Sequence, residues 1–434
     1  MMRNGSRRLG RWIRATVVVG ALFGLVWVFA HESALRPVGA TMSEQQDSIP
    51  NNHPERNPGG KAATFSTQGS VNLTGEFFQA QGTNGRSCAT CHTPQEAWSI
   101  NPGTLQDLFD RTGGTHPVFN LLDADNPNLD VSTPEARLKA YSLLLSHGVF
   151  RRGGAPRPNS EWELIAVDDP HGYANLSRMV FWRRAMPTIN FAMGSATVNW
   201  DGGNSVGTDQ HAGLLNQATR NVTGGQQGQP APPEVLAEIV AFEESLFTAQ
   251  LILPGVGHLD SDGARGGGEA LSAMPKVKGR FDLFDAWVAD ENPRRAQIAR
   301  GQELFNSINA NGRSCNSCHN SANNGTNLDN LLFDIRTASA EARTPDLPLY
   351  TFRNRATGEL RQLTDAGRGQ VTGLWSDLGR FKTPTLRALS ARAPYFHNGI
   401  AATLDAVVRH YETQLGFVFT DEQRADLVAF LSAL

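Results

Sequence analysis

Apolar positions with helical spacing recur in matched pairs along this chain. Residues 238–242 and 426–430 share one order, an acid, two aliphatic residues, an alanine and a phenylalanine, and the period predicts an amphipathic helix at each place. Residues 75–78 and 301–305 also match, and each leads to an Asn-Gly-Arg-Ser stretch in which the Asn-Gly pair favours a turn. The paired patterns predict two similar units, each with a short helix that runs into a loop.

A third pair of matched segments supports the same division. Residues 187–202 and 384–399 both begin with Pro-Thr, and the distance from that proline to the final glycine is fifteen residues in each. We predict a first domain at residues 69–290, with a loop-rich insertion at about 100–185, and a second domain at residues 291–434.

The first thirty residues have the pattern of an export signal. Five arginines precede an apolar run at 15–30 that only Thr16 interrupts. The run is shorter than the roughly 20 residues of a comfortable membrane span, so a signal peptide is favoured over a retained N-terminal anchor that would tether the chain through residues 15–30. Export places the rest of the chain in the bacterial periplasm. Residues 31–68, polar and containing several prolines and glycines, predict a flexible linker.

The charge of the chain excludes one class of partner. The formal net charge is −3, and without the five N-terminal arginines the exported part is near −8. Nucleic-acid-binding domains carry a basic surface, so nucleic acid is not an expected partner.

All four cysteines lie in two C-x-x-C-H motifs. The motifs are Cys88-Ala89-Thr90-Cys91-His92 and Cys315-Asn316-Ser317-Cys318-His319. This spacing is the attachment signature of c-type haem, in which two thiols bond to one porphyrin and the histidine binds its iron. A shared zinc site would need the two pairs closer in sequence, and a thioredoxin-like redox pair would not explain the histidines. We therefore predict two covalently bound haem c groups in a mainly α fold of two cytochrome-c-like helical domains, each around one haem.

The sixth iron ligand differs between the two predicted domains. The last methionine is Met274, so the second domain has no methionine to offer, and its helix candidates are His410 and Tyr411. Counting from the matched segments, the position that corresponds to Tyr411 in the first domain is Leu214, which cannot bind iron. The first haem is therefore expected to keep an open face, on which peroxide or O2 can bind.

These segments resemble the bacterial di-haem cytochrome c peroxidase superfamily, and within it the MauG-like branch. The resemblance is carried by both C-x-x-C-H motifs, by residues 379–387 (GRFKTPTLR), by residues 393–399 (APYFHNG) and by Trp200-Asp201-Gly202. Tyr411 stands where the peroxidases have a methionine ligand and MauG-like enzymes have a tyrosine.

The resemblance implies roles for further residues. His92 and His319 would be the proximal iron ligands, and Trp200 would relay electrons between the haems. A Ca2+ ion between the domains would be bound by the Asn190 side chain and by two backbone carbonyls, those of Arg392 and Pro394.

The first haem pocket departs from the family pattern. The family usually has a glutamate about twenty residues after the tryptophan, and Arg220 occupies that place here, whereas Gln210 keeps the position of a family glutamine. Either side chain can polarise peroxide by hydrogen bonding, without being a good base at neutral pH. His211 is a second ligand candidate that would close the first haem, or else a solvated histidine.

The sequence thus predicts a periplasmic di-haem oxidoreductase that reacts with hydrogen peroxide and oxidises a partner protein, as MauG-like enzymes do. Three alternatives stay open at this point. One is a conventional peroxidase that takes electrons from a small cytochrome or cupredoxin, the second is a purely electron-transferring di-haem cytochrome, and the third is a haem-based sensor.

Overall fold

The computed structural model describes residues 47–309 and 311–434. The α-helices of this part are α1 (Pro102–Thr112), α2 (Pro134–Ala140), α3 (Ser142–His147), α4 (Gln210–Arg220), α5 (Pro233–Ser245), α6 (Gly268–Ser272), α7 (Pro293–Asn306), α8 (Gly369–Thr372), α9 (Leu404–Leu415) and α10 (Asp421–Ala433). The predicted export signal or anchor at residues 1–30, with its tether at 15–30, lies outside the described residues. In the part that the structure describes, none of the helices has the length and apolar character needed to cross a bilayer.

Short strands form five small sheets in the same part of the chain. The strands are β1 (Ser48–Pro50), β2 (Pro54–Asn57), β3 (Gly60–Ser66), β4 (Ser70–Asn72), β5 (Val149–Gly154), β6 (Trp162–Asp168), β7 (Met179–Arg184), β8 (Leu246–Leu253), β9 (Gly257–His258), β10 (Leu332–Phe333), β11 (Leu349–Asn354), β12 (Leu360–Leu363) and β13 (Phe381–Lys382). The sheet orders are β1-β4, β2-β3-β8-β9, β5-β7, β12-β11-β6 and β10-β13. The mainly α prediction therefore needs correction, because the fold combines helices with several sheets.

The predicted helices at the matched positions are present. Residues 238–242 lie in α5, and residues 426–430 lie in α10. Residues 301–305 belong to α7, whereas their counterpart near residue 75 forms only a single 3-10 turn, Glu76–Phe78. The repeat is therefore real in the structure, although the two copies differ in the length of the first helix.

The predicted linker is wrong for residues 48–66. These residues form β1, β2 and β3, and β3 pairs antiparallel with β8 in a register that places Thr64 opposite Thr248. The hydroxyl groups of these two threonines lie 2.8 Å apart, and Ala62 and Ala63 are buried. The chain that precedes the first haem motif is thus part of the folded core.

The two largest hydrophobic clusters of the described residues each lie next to one haem motif. One packs Phe77, Trp98 and Phe242 against α4 and α5. The other lies around α7 and α10 and includes apolar residues between 253 and 287, which the prediction assigned to the first domain. The described residues form a single compact unit, so the boundary at about residue 290 stays a prediction.

The insertion at about 100–185 also has more regular structure than predicted. It contains α1, α2 and α3 together with β5, β6 and β7. Strand β6 pairs antiparallel with β11, so that Trp162 lies opposite Asn354. The insertion is therefore joined to the second half of the chain by a shared sheet.

Candidate haem sites and the wall between them

The first C-x-x-C-H motif begins on a 3-10 turn, Cys88–Thr90. Ser87 caps this turn, because its backbone N–H donates to the Thr90 hydroxyl at 2.9 Å. The Cys88 and Cys91 thiols are not in a disulfide, and burial raises the pKa of Cys91 to about 11. Both thiols therefore remain protonated at neutral pH, and both line one cavity of about 900 Å³, called here the first cavity.

The His92 ring is oriented by a backbone carbonyl. Its Nδ1 lies 2.9 Å from the Trp98 oxygen, which fixes Nδ1 as the donor and leaves Nε2 as the atom that can bind a metal. Burial lowers the pKa of His92 to about 4, so the ring is neutral at physiological pH. A neutral imidazole with one anchored nitrogen is the form that binds haem iron.

The second motif repeats this arrangement. Ser314 caps the turn Cys315–Ser317, and the His319 Nδ1 lies 2.7 Å from the Gly325 oxygen. Burial lowers the pKa of His319 to about 4, as it does for His92. Both cysteines and His319 line another cavity, of about 200 Å³, called here the second cavity.

Both motifs fit a covalently bound haem c. In each, two unpaired thiols and an oriented imidazole face the same cavity, and the two motifs face different cavities. Among the residues that the structure describes, no three histidine, cysteine or acidic side chains come together as they would to hold a zinc ion. The alternatives of a shared zinc site or a disulfide therefore receive no support from the geometry.

Tyr411 and His410 follow one another on α9 but have different surroundings. Tyr411 lines the second cavity together with the haem motif, and burial raises its pKa well above the usual range. The His410 Nε2 lies 2.7 Å from the Ile335 carbonyl oxygen, so one of its nitrogens is already hydrogen-bonded to the backbone. Of the two ligand candidates, the structure brings Tyr411 to the second cavity.

Five residues line both cavities and form what is called here the shared wall. They are Arg184, Ala185, Pro187, Trp200 and Lys382. The Trp200 indole N–H donates to the Arg184 carbonyl at 2.9 Å, and its ring centroid lies 6.3 Å from that of His397. Trp200 therefore lines both cavities, and its role as a relay between haems stays a prediction.

The predicted peroxide-binding residues are only partly brought together. Arg220 lines the first cavity, and so does Leu214, the apolar counterpart of Tyr411. The Gln210 side chain does not line it, and its amide instead donates to the Ser195 carbonyl at 2.7 Å. His211 is exposed and lies 3.1 Å from Glu244, away from the cavity.

Glu243 is a functional candidate that the sequence did not reveal. It lies on α5, lines the first cavity, and is only 3% exposed. Its Oε2 has no hydrogen-bond partner among the described residues. Burial, with a smaller effect from the Glu244 charge, raises the pKa of Glu243 to about 8, so this carboxyl group is protonated at neutral pH.

Two of the three predicted calcium ligands have their donor atoms in hydrogen bonds within the protein. Asn190 lines the first cavity, and both ends of its amide are hydrogen-bonded to the backbone of Thr248, at 2.8 Å and 2.9 Å. Arg392 and Pro394 line the second cavity, and the Arg392 carbonyl accepts a hydrogen bond from the Arg184 guanidinium at 3.1 Å. The donor atoms that the resemblance assigned to calcium are thus already engaged, apart from the Pro394 carbonyl.

No protein-family model matches the chain. Several curated proteins are nevertheless similar to it. Cytochrome c551 peroxidase of Nitrosomonas europaea is 32% identical over 153 residues, which cover 35% of this chain and 38% of that protein. Cytochrome-c peroxidase IdrP2 of Denitromonas iodatirespirans is 40% identical over 180 residues, 38% of this chain and 47% of that protein.

A longer match is with the methylamine utilization protein MauG of Methylorubrum extorquens, 28% identical over 273 residues, 58% of this chain and 64% of that protein. Among solved structures, a MauG-like protein associated with microbial copper homeostasis is 16% identical, with 90% of this chain and 93% of that chain covered. Its TM-score of 0.42 is too low to establish a common fold.

The matches to these curated relatives span between 38% and 64% of the relatives' own length. They include proteins named as cytochrome c peroxidases and a protein named MauG. The resemblance to the di-haem cytochrome c peroxidase superfamily, with MauG among its members, is thereby confirmed.

Proposed function

We propose that this relative of the di-haem cytochrome c peroxidases and MauG is a periplasmic di-haem oxidoreductase that reacts with hydrogen peroxide. The observation that carries the proposal is the meeting of two C-x-x-C-H cavities at one wall that contains Trp200. Bound haem c supplies an iron that exchanges electrons and, where one face is open, binds peroxide. The remaining chemistry is supplied by side chains of this chain.

The two cavities differ in a way that favours an open first haem. The first cavity is the larger, and Leu214 occupies the position that corresponds to Tyr411 in the second. Since His211 lies at the surface with Glu244, it is not placed to close the first haem. Tyr411 lines the second cavity and would provide an oxygen ligand there, and an anionic ligand stabilises oxidised iron more than a methionine does.

Reduction of peroxide consumes protons, and the first cavity contains a residue that can provide one. The protonated Glu243 carboxyl has an unpartnered oxygen in that cavity. Arg220 adds a cationic donor that can polarise an O–O bond without taking up a proton. We therefore assign the role of the missing family glutamate to Glu243.

The shared wall suits the transfer of electrons between the two cavities. An indole can be oxidised, and the Trp200 ring is held by hydrogen bonds at its N–H and at its backbone carbonyl, which accepts from the Lys382 N–H at 2.7 Å. Asp201, the next residue, forms an ion pair with Arg183. A ring fixed in this manner needs little rearrangement when it loses an electron.

The tyrosine at position 411 favours a MauG-like reaction, in which the oxidising equivalents are used on a side chain of a partner protein. The second candidate is a conventional peroxidase, in which a small cytochrome or cupredoxin supplies the electrons. Steady oxidation of a reduced small cytochrome by peroxide would favour the conventional peroxidase, and its absence the MauG-like reaction.

A purely electron-transferring cytochrome remains the third candidate because of one observation. Met186 lines the first cavity, and a thioether is a common sixth ligand of haem c. With Met186 as its sixth ligand, the first haem would have no free position for peroxide.

Low-temperature EPR of the oxidised protein separates these candidates. We expect a high-spin ferric signal from the first haem beside a low-spin signal from the second. The Tyr411→Phe variant should lose the low-spin signal and keep the high-spin one, whereas Met186→Leu should leave both unchanged. Two low-spin signals in the native protein, one of them converted to high spin by Met186→Leu, would contradict the peroxide reaction.

A further inference from the structure

Arg184 is a buried arginine at the shared wall. Its guanidinium donates hydrogen bonds to backbone carbonyl oxygens, and the Glu96 carboxyl group attracts it electrostatically. Arg184 is the last residue of β7 and is only 5% exposed. Its guanidinium donates to the carbonyl of Arg392 at 3.1 Å and to the carbonyls of His147 and Gly148 at 3.3 Å and 3.5 Å. Among the described residues these carbonyls are its hydrogen-bond acceptors. A ring of backbone oxygens around a cation is also the arrangement in which proteins bind Ca2+.

One of these oxygens belongs to the predicted calcium site. The Arg392 carbonyl was assigned to Ca2+ by the family resemblance, and here it accepts from Arg184. Calcium requires six to eight oxygen ligands at about 2.3–2.6 Å, and one of the two lone pairs of this carbonyl already accepts from a guanidinium nitrogen 3.1 Å away. The buried positive charge of Arg184 also repels a second cation at short range.

The backbone of Arg184 forms hydrogen bonds with two other segments at the shared wall. Its N–H donates to the His397 carbonyl at 2.6 Å, and its carbonyl accepts from the Trp200 indole at 2.9 Å. The same residue therefore connects β7, the relay tryptophan and the loop that contains Arg392. This is the set of elements that a cation between the two halves would join.

We propose that the Arg184 guanidinium takes the place of the family's calcium ion and makes the shared wall independent of Ca2+. The permanent positive charge of the Arg184 guanidinium then holds the loop that contains Arg392 against β7. The inference concerns the wall alone, so it holds whether or not the protein turns over peroxide.

The direct test is calcium binding by the full, haem-loaded protein. After treatment with a chelator, equilibrium dialysis against 45Ca2+ should show no stoichiometric binding up to about 1 mM free calcium, the weak end of the range for extracellular calcium modules. The thermal unfolding midpoint and the EPR spectrum should be the same with EGTA and with added CaCl2. One calcium ion bound per chain, or an EGTA-induced shift in either measurement, would overturn the proposal.

A pair of variants tests the role of the arginine itself. Arg184→Gln should lower the unfolding midpoint and alter the EPR lines of both haems, because the loop and Trp200 lose their common support. Arg137→Gln is the matched control, since the Arg137 guanidinium also donates to backbone carbonyls, those of Gly113 and Val131, but lines neither cavity. If Arg184→Gln behaves like Arg137→Gln, the proposal is wrong. If Arg184→Gln does not fold, the calcium measurements on the native protein decide.

Discussion

At the scale of single residues, Glu243 and Glu244 are neighbours on α5 with opposite surroundings. Glu243 is buried beside the first cavity, where its pKa is raised to about 8. Glu244 is partly exposed and lies 3.1 Å from His211. The two residues therefore form a natural pair for separating the chemistry of a buried acid from the general effect of a lost charge.

We predict that Glu243→Gln slows peroxide consumption by about 10²-fold, the usual contribution of a positioned acid. In the native protein the carboxyl donates a proton only while protonated, so the rate should fall as the pH rises through about 8. The variant should lose this fall, because glutamine does not titrate. Stopped-flow measurement of peroxide turnover between pH 6 and 9 checks both effects.

The control for this prediction is Glu244→Gln, which should keep most of the native rate and the same pH profile, with the midpoint moved slightly lower because one neighbouring negative charge is gone. A native-like rate and profile in Glu243→Gln would remove Glu243 from the reaction.

The sequence predicted the candidate site residues that belong to motifs or matched segments with a recognisable spacing. The two C-x-x-C-H motifs, Trp200 and Tyr411 all lie at the cavities. Glu243 was missed because the repeat identifies its helix only as a core element, and burial of a single acid leaves no trace in the pattern. Gln210 was expected near peroxide from its position in the family, but its amide is hydrogen-bonded to Ser195.

At the scale of secondary-structure elements, α7 and α10 cross at a glycine. A Cβ atom on Gly301 would lie 1.9 Å from the Asp426 carbonyl oxygen and 2.8 Å from the Phe430 Cβ. Only a residue without a side chain allows this approach. The crossing brings Phe305 and Phe430 into edge contact, with ring centroids 5.5 Å apart, next to His319.

We predict that Gly301→Ala lowers the free energy of unfolding by roughly 1–3 kcal/mol, since the two helices must separate to accept a methyl group. Chemical denaturation followed by circular dichroism measures the change. Gly224→Ala is the control, because Gly224 is exposed and a Cβ there would meet nothing within 4 Å. Equal stability of the two variants would show that the crossing is not tightly packed.

The paired helices could be predicted because each has an apolar period of its own. Strand β3 could not, because its residues become a strand only by pairing with β8, more than 180 residues further along the chain. Strands β2 and β3 form a hairpin. The prolines and glycines near its turn were interpreted from the sequence as part of a flexible linker. Sheets made by distant partners are the part of this fold that local patterns do not show.

At the scale of the whole molecule, the shared wall makes the two haem cavities one system. We predict that Trp200→Phe slows electron exchange between the haems by about tenfold, equivalent to a rise of about 1.4 kcal/mol in the barrier. Both haems should still attach, since neither motif contacts the indole N–H. Stopped-flow reduction followed at the absorption bands of the two haems provides the rate.

Trp375→Phe is the matched control, because Trp375 lines neither cavity and its indole N–H donates to Glu359 instead. Its exchange rate should equal that of the native protein. An unchanged rate in Trp200→Phe would mean that electrons cross the wall by another route.

The division into two similar halves was predicted from the repeat, and each of the two largest hydrophobic clusters takes residues from both predicted halves. The packing of segments from one predicted half against residues of the other half was not predicted. Apolar residues between 253 and 287 pack in the cluster around α7 and α10, although they precede the second haem motif. A repeat in sequence shows which segments match, and it does not show which segments pack across the boundary between the matched units.

The pairing of β6 with β11 has a consequence for how the chain is made. Strand β6 ends at Asp168 and its partner begins at Leu349, so the first half cannot complete this sheet until the second half has been synthesised. Contacts between such distant residues are slow to form. The sheet that joins the insertion to the second half is therefore among the last parts of the fold to form. A fragment that ends near residue 290 should be a poor substitute for the intact protein in assembly studies.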